Sequence, residues 1–277
     1  MAARRIWLVA DDYGLSPAVS AAIRDLAGRG RLNAASVMVA APAFDRAEAR
    51  SLAELAGGAR PIAIGLHVTL TAPFRPLTRE FAPLRAGSFL PLARLMARAF
   101  LGRLDRALLA AEIAAQLAAF TFTFGRPPDF VDGHQHVQLL PTVRDALLAA
   151  VKEAAPHAWV RQCGVATPPL RRLADPKGLL LDRLSRRFRA HAHGLGIRTN
   201  PAFAGTYDFG AEPPYAERFA RFLDRLPDGG VVMCHPGHVD DELRRLDPVT
   251  DQREREYAFL AGDGFAAVLR ASNVALT

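Results

Sequence analysis

The chain alternates between short apolar runs of strand length and longer segments with helical periodicity, from its first residues to its last. Strands that alternate with helices pair in parallel, because each helix crosses back over the sheet before the next strand begins. The predicted strands cover residues 5–10, 34–40, 62–70, 129–138, 158–163, 229–237 and a final strand that joins FAAVLR to VAL. The pattern predicts an α/β fold, an irregular (β/α) barrel of about seven to eight parallel strands.

The predicted helices fill the intervals between these strands. The first begins at Ser16-Pro17, an N-cap residue followed by proline at the first helical position, and ends near Gly28. The others are expected at about 44–56, 104–121, 142–154, 176–193, 214–226 and 249–261. Residues 73–100 show no clean period and are predicted to form a loop insertion near the site. No linker divides residues 1–277, which are predicted to form one domain.

Composition and charge narrow the class of protein. The net charge of +7 and the sequence pI of about 10.2 would suit an anionic partner, but the positive charge is spread along the chain, so nucleic acid is not the predicted partner. Cys163 and Cys234 are too few for a disulfide framework and are expected to be reduced, buried thiols. No uninterrupted apolar run approaches the length of a membrane span, and the N-terminal apolar run is too short for a signal peptide. A cytoplasmic location is the expectation.

Acidic and histidine side chains stand where the predicted strands end. In barrels and open α/β sheets, functional groups gather at the carboxyl ends of the strands. These residues are Asp11, Asp12, His67, Asp132, His134, His136, His235, His238, Asp240 and Asp241. We therefore expect one polar pocket at that end of the barrel. Four residues are expected either to contact the substrate or to contact the side chains that bind the metal. They are Asp132, His136, Arg161 and Asp240.

The spacing in VDGHQHVQ is typical of a ligand set. Asp132, His134 and His136 alternate, so on a strand they would share one face. A polar face at a sheet edge is the alternative for any one of them. One aspartate and two imidazoles are a common set of ligands for a divalent cation, and the repetition at four strand ends favours a bound metal.

The adjacent carboxylates of Asp11 and Asp12 suit two different roles at one cation. Neighbouring side chains point in opposite directions unless the backbone turns there, so one can bind the ion while the other accepts a proton from water. Gly14 permits a tight turn towards the helix that Ser16 caps. The alternative is that ADDYGLSP is only a turn and an N-cap.

His235 lies at another strand end, in the tripeptide Cys234-His235-Pro236. A histidine that faces the ion from across the pocket can protonate a leaving group or donate a hydrogen bond to an oxyanion. A core histidine held by the following proline turn is the alternative.

Four motifs in order resemble the YdjC-like, ChbG-type carbohydrate deacetylase family. They are ADDYG, GLHVTL, FGRPPDFVDGHQHVQLLP and VMCHPGHVDDE. LNAASVMVAAPAF and the pattern Arg253-x-x-Glu256-x-x-x-Leu260 are similar to that family as well. The resemblance covers essentially the whole chain.

The resemblance implies a metal-dependent deacetylase with an irregular β/α barrel that acts on N-acetylated sugars such as chitooligosaccharides. It implies Asp12, His67 and His134 as metal ligands, Asp11 as catalytic base, and His235 as general acid or oxyanion partner. It also implies a homodimer and Mg²⁺ as the usual ion, while two imidazoles and one carboxylate suit Zn²⁺ on ligand softness.

Some features leave the substrate and the function class open. Gln135 and Gln138 stand where the family often has histidine, at positions that can shape a sugar pocket. Relatives associated with hopanoid biosynthesis make a lipid-linked amino sugar an alternative substrate. A metal phosphoesterase, a binder of anionic polymers and a sugar-binding protein without activity are the remaining alternatives. The sequence contains no Gly-rich phosphate-binding loop, which argues against the metal phosphoesterase.

Overall fold

A curled parallel sheet forms the centre of the computed structural model, which describes residues 2–58, 60–166 and 176–277. Seven strands pair in the order β5-β4-β3-β2-β1-β7-β6, and β8 pairs with the start of β1. The strands are β1 Arg4–Tyr13, β2 Ala34–Val37, β3 Ala63–Val68, β4 Phe130–Gly133, β5 Trp159–Val160, β6 Phe203–Ala204, β7 Val231–Cys234 and β8 Val274–Leu276. The predicted α/β barrel-like fold is confirmed.

An irregular segment just before β6 pairs with β5, so this segment lies between the two outer strands of the curled sheet. The backbone N–H of Val160 donates to the carbonyl oxygen of Arg198 at 2.9 Å. The buried side chain of Asn200 forms the hydrogen bonds that a neighbouring strand would form. Its Oδ1 accepts from the backbone N–H of Gln162 at 2.9 Å, and its Nδ2 donates to the carbonyl oxygen of Gln162 at 3.0 Å. These bonds satisfy polar groups at an edge that would otherwise stay unpaired.

Helices alternate with the strands along the chain. They are α1 Pro17–Gly28, α2 Arg46–Ala56, α3 Leu92–Phe100, α4 Arg106–Phe124, α5 Val143–Ala154, α6 Pro176–Gly194, α7 Tyr215–Leu223, α8 Asp241–Leu246, α9 Asp251–Ala261 and α10 Asp263–Ala271. The predicted start of α1 is confirmed, since the Ser16 hydroxyl accepts from the backbone N–H of Val19 at 3.3 Å and Pro17 opens the helix.

The strand predicted over residues 129–138 is wrong beyond Gly133. A 3-10 helix, His134–Leu139, follows β4, and Gln135 and His136 have φ angles of 55° and 59°. Because both residues adopt the left-handed conformation, the period of two does not decide where the histidines point.

Two further predictions are wrong in part. The segment FAAVLR belongs to helix α10, where Phe265, Val268 and Leu269 recur at the spacing of one helical face, and only residues Val274–Leu276 form the last strand. The insertion at 73–100 ends in helix α3, on which Leu95 and Ala99 are buried.

Helix α4 is long and apolar enough to cross a membrane by length and composition, which is weak evidence for a membrane span. Its polar residues Glu112 and Gln116 are fully buried. The Glu112 carboxylate accepts from the backbone N–H groups of Leu77 and Thr78 at 3.1 and 2.9 Å, and the Gln116 side chain bonds the backbone of Thr69. These contacts favour a helix of the protein core that anchors the insertion.

A close approach between β3 and β4 generates a prediction about stability. A Cβ at Gly65 would lie 2.3 Å from the ring of Phe130, which is buried and stacks on Trp159 at 4.7 Å. We expect Gly65→Ala to lower the free energy of unfolding by about 1–3 kcal/mol, because the ring has no room to move. Urea denaturation measures the change. Gly264→Ala is the control, since nothing lies within 4 Å of its Cβ position, and a similar loss in that variant would contradict the explanation.

Candidate active site

Strand β1 ends in a turn that brings two adjacent carboxylates into one cavity. The pairing of β1 with β2 is irregular between Ala10 and Tyr13, and Asp12 has a φ of 67°. The turn continues at Gly14, whose φ is 94° and where a Cβ would lie 2.8 Å from the Cβ of Phe44. Because the backbone turns at Asp12, the side chains of Asp11 and Asp12 both line the cavity, although they are neighbours in a strand.

Three ligand atoms converge at the carboxyl ends of β1, β3 and β4. Asp12 Oδ1 lies 3.0 Å from His134 Nδ1 and 3.3 Å from His67 Nε2. The three ligand atoms all lie within 4.8 Å of one another, and the three side chains are buried. One carboxylate oxygen and two imidazole nitrogens at such distances form a donor set for a divalent cation.

The hydrogen bonds of His67 test whether a cation fits this set. Its Nδ1 lies 2.6 Å from Asp132 Oδ1, which places the ring hydrogen on Nδ1 in the neutral imidazole. The Nε2 lone pair then faces the Asp12 carboxylate. Two acceptors that face each other repel unless a cation or a proton lies between them. The donor set therefore fits a metal ion.

Asp132 and Ser36 hold His67 in this orientation. The register of β3 against β4 places His67 beside Asp132. Ser36 on β2 donates its hydroxyl hydrogen to Asp132 Oδ1 at 2.5 Å. A carboxylate behind a ligand histidine fixes the ring and its tautomer, as in many metal sites.

Arg161 forms ion pairs with two of the buried carboxylates. It is fully buried just after β5, and its guanidinium donates to both oxygens of Asp11 at 2.7 and 3.0 Å. The same group also donates to Asp132 Oδ2. Burial tends to raise the pKa of Asp11, but Arg161, followed by His67 and His235, lowers that pKa below its ordinary value. Asp11 is therefore an ionised carboxylate in a fixed orientation.

Helix α9 supports both sides of the cavity. Arg253 Nη2 donates to Asp12 Oδ2 at 2.7 Å and to Asp247 at 3.1 Å. Against the effect of burial, Arg253 and then His134 hold the pKa of Asp12 well below its usual range. One turn further along the helix, Glu256 accepts from the backbone N–H of His235 at 2.6 Å.

The Glu256 carboxylate of α9 also binds Tyr207, which lines the cavity on the same side as His235. Tyr207 donates its hydroxyl hydrogen to Glu256 Oε1 at 2.5 Å. The ring of Phe209 contacts His235 edge-on, with 5.5 Å between the ring centres. His235 is half-buried and lines the cavity, and its Nδ1 has no hydrogen-bond partner among the residues that the structure describes.

His136 lines the same cavity and is neutral near pH 7. Burial lowers its pKa to about 4. Its Nδ1 lies 3.5 Å from the Cys163 sulfur, and burial raises the pKa of that thiol to about 12, so the thiol is protonated. The S–H group can donate to Nδ1, which leaves the hydrogen of the neutral ring on Nε2.

The cavity has a volume of about 440 Å³, which suits a small ligand such as a sugar unit or two. It brings together the side chains of Asp11, Asp12, His67, His134, His136 and His235. Asp132 and Arg161 lie behind them and contact the lining residues. Asp240 has a different position, because its carboxylate accepts from the backbone N–H groups of Ala18 and Leu243 and caps helix α8.

Sequence reasoning assigned no role to four residues that contact the site, namely Ser36, Tyr207, Arg253 and Glu256. A hydroxyl inside the fully buried strand AASV was the available signal for Ser36. Arg253 and Glu256 were noted only through the family resemblance. Tyr207 had no such signal, because it lies outside the helices and strands and its partner is 49 residues away.

The model of the YdjC-like protein family matches residues 5–271. The chain belongs to the YdjC-like family. Among its relatives is a protein named chitooligosaccharide deacetylase from Yersinia pestis (strain Pestoides F), 28% identical over 240 residues that cover 84% of this chain and 82% of the relative. The protein of the same name from Yersinia pseudotuberculosis serotype O:3 (strain YPIII) has the same identity and coverage.

Solved structures share the fold of this family member. A proposed cellobiose-phosphate cleavage protein from Enterococcus faecalis V583 superposes with a TM-score of 0.74 at 21% identity, covering 100% of this chain and 97% of the other. The peptidoglycan N-acetylglucosamine deacetylase Bc1960 superposes with a TM-score of 0.50 at 10% identity, covering 99% of this chain and 85% of the other. At these identities the likeness concerns the fold alone.

The contact behind His67 generates a prediction about cation affinity. We expect Asp132→Asn to weaken Zn²⁺ binding by about 10–100-fold, because the amide is a weaker acceptor for the Nδ1 hydrogen. Isothermal titration calorimetry measures the affinity. Asp240→Asn is the matched control, since Asp240 lies outside the cavity and accepts from the backbone N–H groups of Ala18 and Leu243. The Zn²⁺ affinity of this variant should be that of the unaltered protein. Equal affinities in all three proteins would contradict the role of Asp132.

Proposed function

We propose that this protein is a metal-dependent carbohydrate deacetylase, which removes the N-acetyl group from an amino sugar of the chitooligosaccharide type and releases acetate. One observation carries the proposal. The carboxylate of Asp12 and the imidazoles of His67 and His134 converge beside a second, ion-paired carboxylate, Asp11, in a cavity of sugar size. Family membership and the names of the relatives support the same chemistry.

Asp12, His67 and His134 would hold one divalent ion, with Mg²⁺ or Zn²⁺ as the candidates. When bound, such an ion supplies Lewis-acid chemistry at the amide carbonyl and lowers the pKa of water. Asp132 and Arg253 keep two of these ligands in place from behind, through His67 and Asp12.

Asp11 is the proposed general base. Its pKa lies below the ordinary value, so it is ionised throughout the neutral range, and both of its oxygens are oriented by Arg161. The oxygen of a water molecule attacks the acetyl carbon while a water proton passes to the Asp11 carboxylate. A carboxylate beside the ligand set can accept this proton without binding the ion itself.

His235 is the proposed general acid. It lies on the opposite wall of the cavity, at the end of β7, and Glu256 holds its backbone N–H. As the carbon–nitrogen bond breaks, the His235 imidazolium donates its proton to the departing amine nitrogen. The free amino sugar leaves, the acetic acid formed loses its remaining proton to solvent as acetate, and the proton on Asp11 returns to His235 through solvent.

His136 is proposed to bind a substrate oxygen. The ring is neutral, and the Cys163 thiol faces its Nδ1, so Nε2–H is the donor that remains. Ring hydroxyl and carbonyl oxygens of an acetylated sugar are suitable acceptors.

The homodimer, the cytoplasmic location and the single domain over residues 1–277 stay predictions. Light scattering tests the homodimer.

Acetate release tests the function directly. Protein stripped with a chelator is given Zn²⁺ or Mg²⁺ and incubated with N,N′-diacetylchitobiose and longer chitooligosaccharides. We expect acetate to appear only after an ion is restored. Hydrolysis of a chromogenic phosphate ester without acetate release would instead favour a phosphoesterase. Release that persists unchanged in the stripped protein would contradict a metal-dependent reaction.

Substitutions at the two kinds of site residue separate their roles. We expect Asp11→Asn to lower kcat by about 10²–10⁴-fold with the ion still bound, because the base is lost and the ligands remain. His67→Ala and His134→Ala should lose the ion as well as the activity. Metal content by atomic emission, measured beside turnover, distinguishes these results. Loss of the ion in Asp11→Asn would contradict this division of roles.

A further inference from the structure

The segment from Arg75 to Arg106 holds most of the excess positive charge of the protein. It contains seven arginines against Glu80 and Asp105, a net charge of +5 in a chain whose net charge is +7. All seven arginines are exposed. Across residues 2–58, 60–166 and 176–277, none of their guanidinium groups has an ion-pair or hydrogen-bond partner. Like charges this close repel one another, so the surface suits an anionic partner.

The same segment exposes large apolar side chains. Of the seven exposed large hydrophobic residues in the described part of the chain, four lie here, namely Leu77, Leu84, Phe100 and Leu101. Phe100 at the end of helix α3 is 48% exposed, and Leu101 in the following turn is 63% exposed. Neighbouring aromatic and aliphatic side chains with this much exposure are unfavourable in water unless a partner covers them.

Helix α3 carries both features on its solvent side. Leu95 and Ala99 on this helix are buried. Arg94, Ala97 and Arg98 are exposed, and so is Phe100 at the end of the helix. The turn after the helix adds Arg103, and the first residue of α4 adds Arg106. We name the following residues the α3 tip: Arg94, Arg98, Phe100, Leu101, Arg103 and Arg106.

The other end of α3 reaches the active-site cavity. Leu92, the first residue of the helix, lines the cavity together with Asp12 and His134. A helix of nine residues is about 13 Å long. Phe100 and Leu101 therefore lie roughly that far from Leu92 along the helix axis, whereas Arg94 is only two residues after Leu92.

We propose that the α3 tip docks on an anionic lipid bilayer surface. Phe100 and Leu101 enter the headgroup region, and the four arginines of the tip contact lipid phosphates. Stable attachment to a membrane surface needs an apolar and an electrostatic contribution together, and the tip supplies both. A second copy of this chain is a poorer partner, because it would bring a segment of net charge +5 against an identical one. The proposal is independent of the reaction assigned to the cavity.

Vesicle binding tests the proposal with the full-length protein. Co-sedimentation compares vesicles of phosphatidylcholine with vesicles that also contain phosphatidylglycerol, at low and at high salt. We expect binding to the anionic vesicles only, and weaker binding as salt rises, because salt screens the arginine–phosphate attraction. Binding that is equal on both vesicle types would overturn the proposal, and so would no binding to anionic vesicles at low salt.

Matched variants assign the binding to the tip. We expect Arg94→Glu/Arg98→Glu and Phe100→Ser/Leu101→Ser each to lower the partition coefficient by about tenfold or more. The controls are Arg50→Glu/Arg270→Glu, which changes the net charge equally, and Phe122→Ser, which removes an apolar side chain that is 73% exposed near the far end of α4. The controls should change binding by less than about threefold.

Two results of this comparison contradict the proposal. Equal losses in tip and control variants would mean that net charge alone attracts the protein to vesicles. A dimer that Phe100→Ser/Leu101→Ser converts to a monomer, with vesicle binding unchanged, would make the tip a subunit interface. Thermal melts by circular dichroism ensure that the compared variants are folded.

Discussion

The active site buries carboxylates side by side within one small region. Asp11, Asp12 and Asp132 are almost fully removed from water, and a buried carboxylate is costly unless cations compensate it. Two buried arginines do so, Arg161 for Asp11 and Asp132 and Arg253 for Asp12. Arg253 is shared with Asp247, so the carboxylates outnumber the two arginines at the point where two imidazole nitrogens also converge. This imbalance favours a divalent ion at the ligand set.

The two arginines also explain why distant parts of the chain form one site. Arg161 follows β5 and Arg253 lies on α9, yet each binds a carboxylate at the end of β1. In the order of the sheet β5 lies four strands away from β1, so the curl of the sheet brings Arg161 to Asp11, while Arg253 reaches Asp12 from helix α9. Each arginine therefore couples the orientation of a functional carboxylate to the packing of a peripheral element. The same helix α9 holds His235 through Glu256, so both walls of the cavity share one support.

The insertion between β3 and α4 has two separate relations to the rest of the molecule. Its inner side is fixed to the core by Glu112 and Gln116, two buried polar residues of α4 that satisfy the backbone of the loop and of the chain after β3. Its outer side carries exposed arginines and exposed apolar side chains. Helix α3 connects this outer surface to the cavity, because Leu92 at its start lines the cavity and Phe100 at its end is exposed.

Most of the strands and helices, the polar character of the strand ends and the Ser16 cap are predictable from the sequence, because they depend on local periodicity and on short-range hydrogen bonds. The helices α3, α8 and α10 are not among the predicted elements. The directions of the side chains depend on backbone angles and long-range contacts that local patterns do not contain. The left-handed backbone at Asp12, Gln135 and His136 breaks the strand period on which the sequence argument relied, so Asp11 and Asp12 share a cavity and His134 lies in a 3-10 helix. The partners of the buried carboxylates were equally out of reach of local patterns. Arg161 and Arg253 contact Asp11 and Asp12 across 150 and 241 residues, and the curl of the sheet and the packing of α9 bring them together.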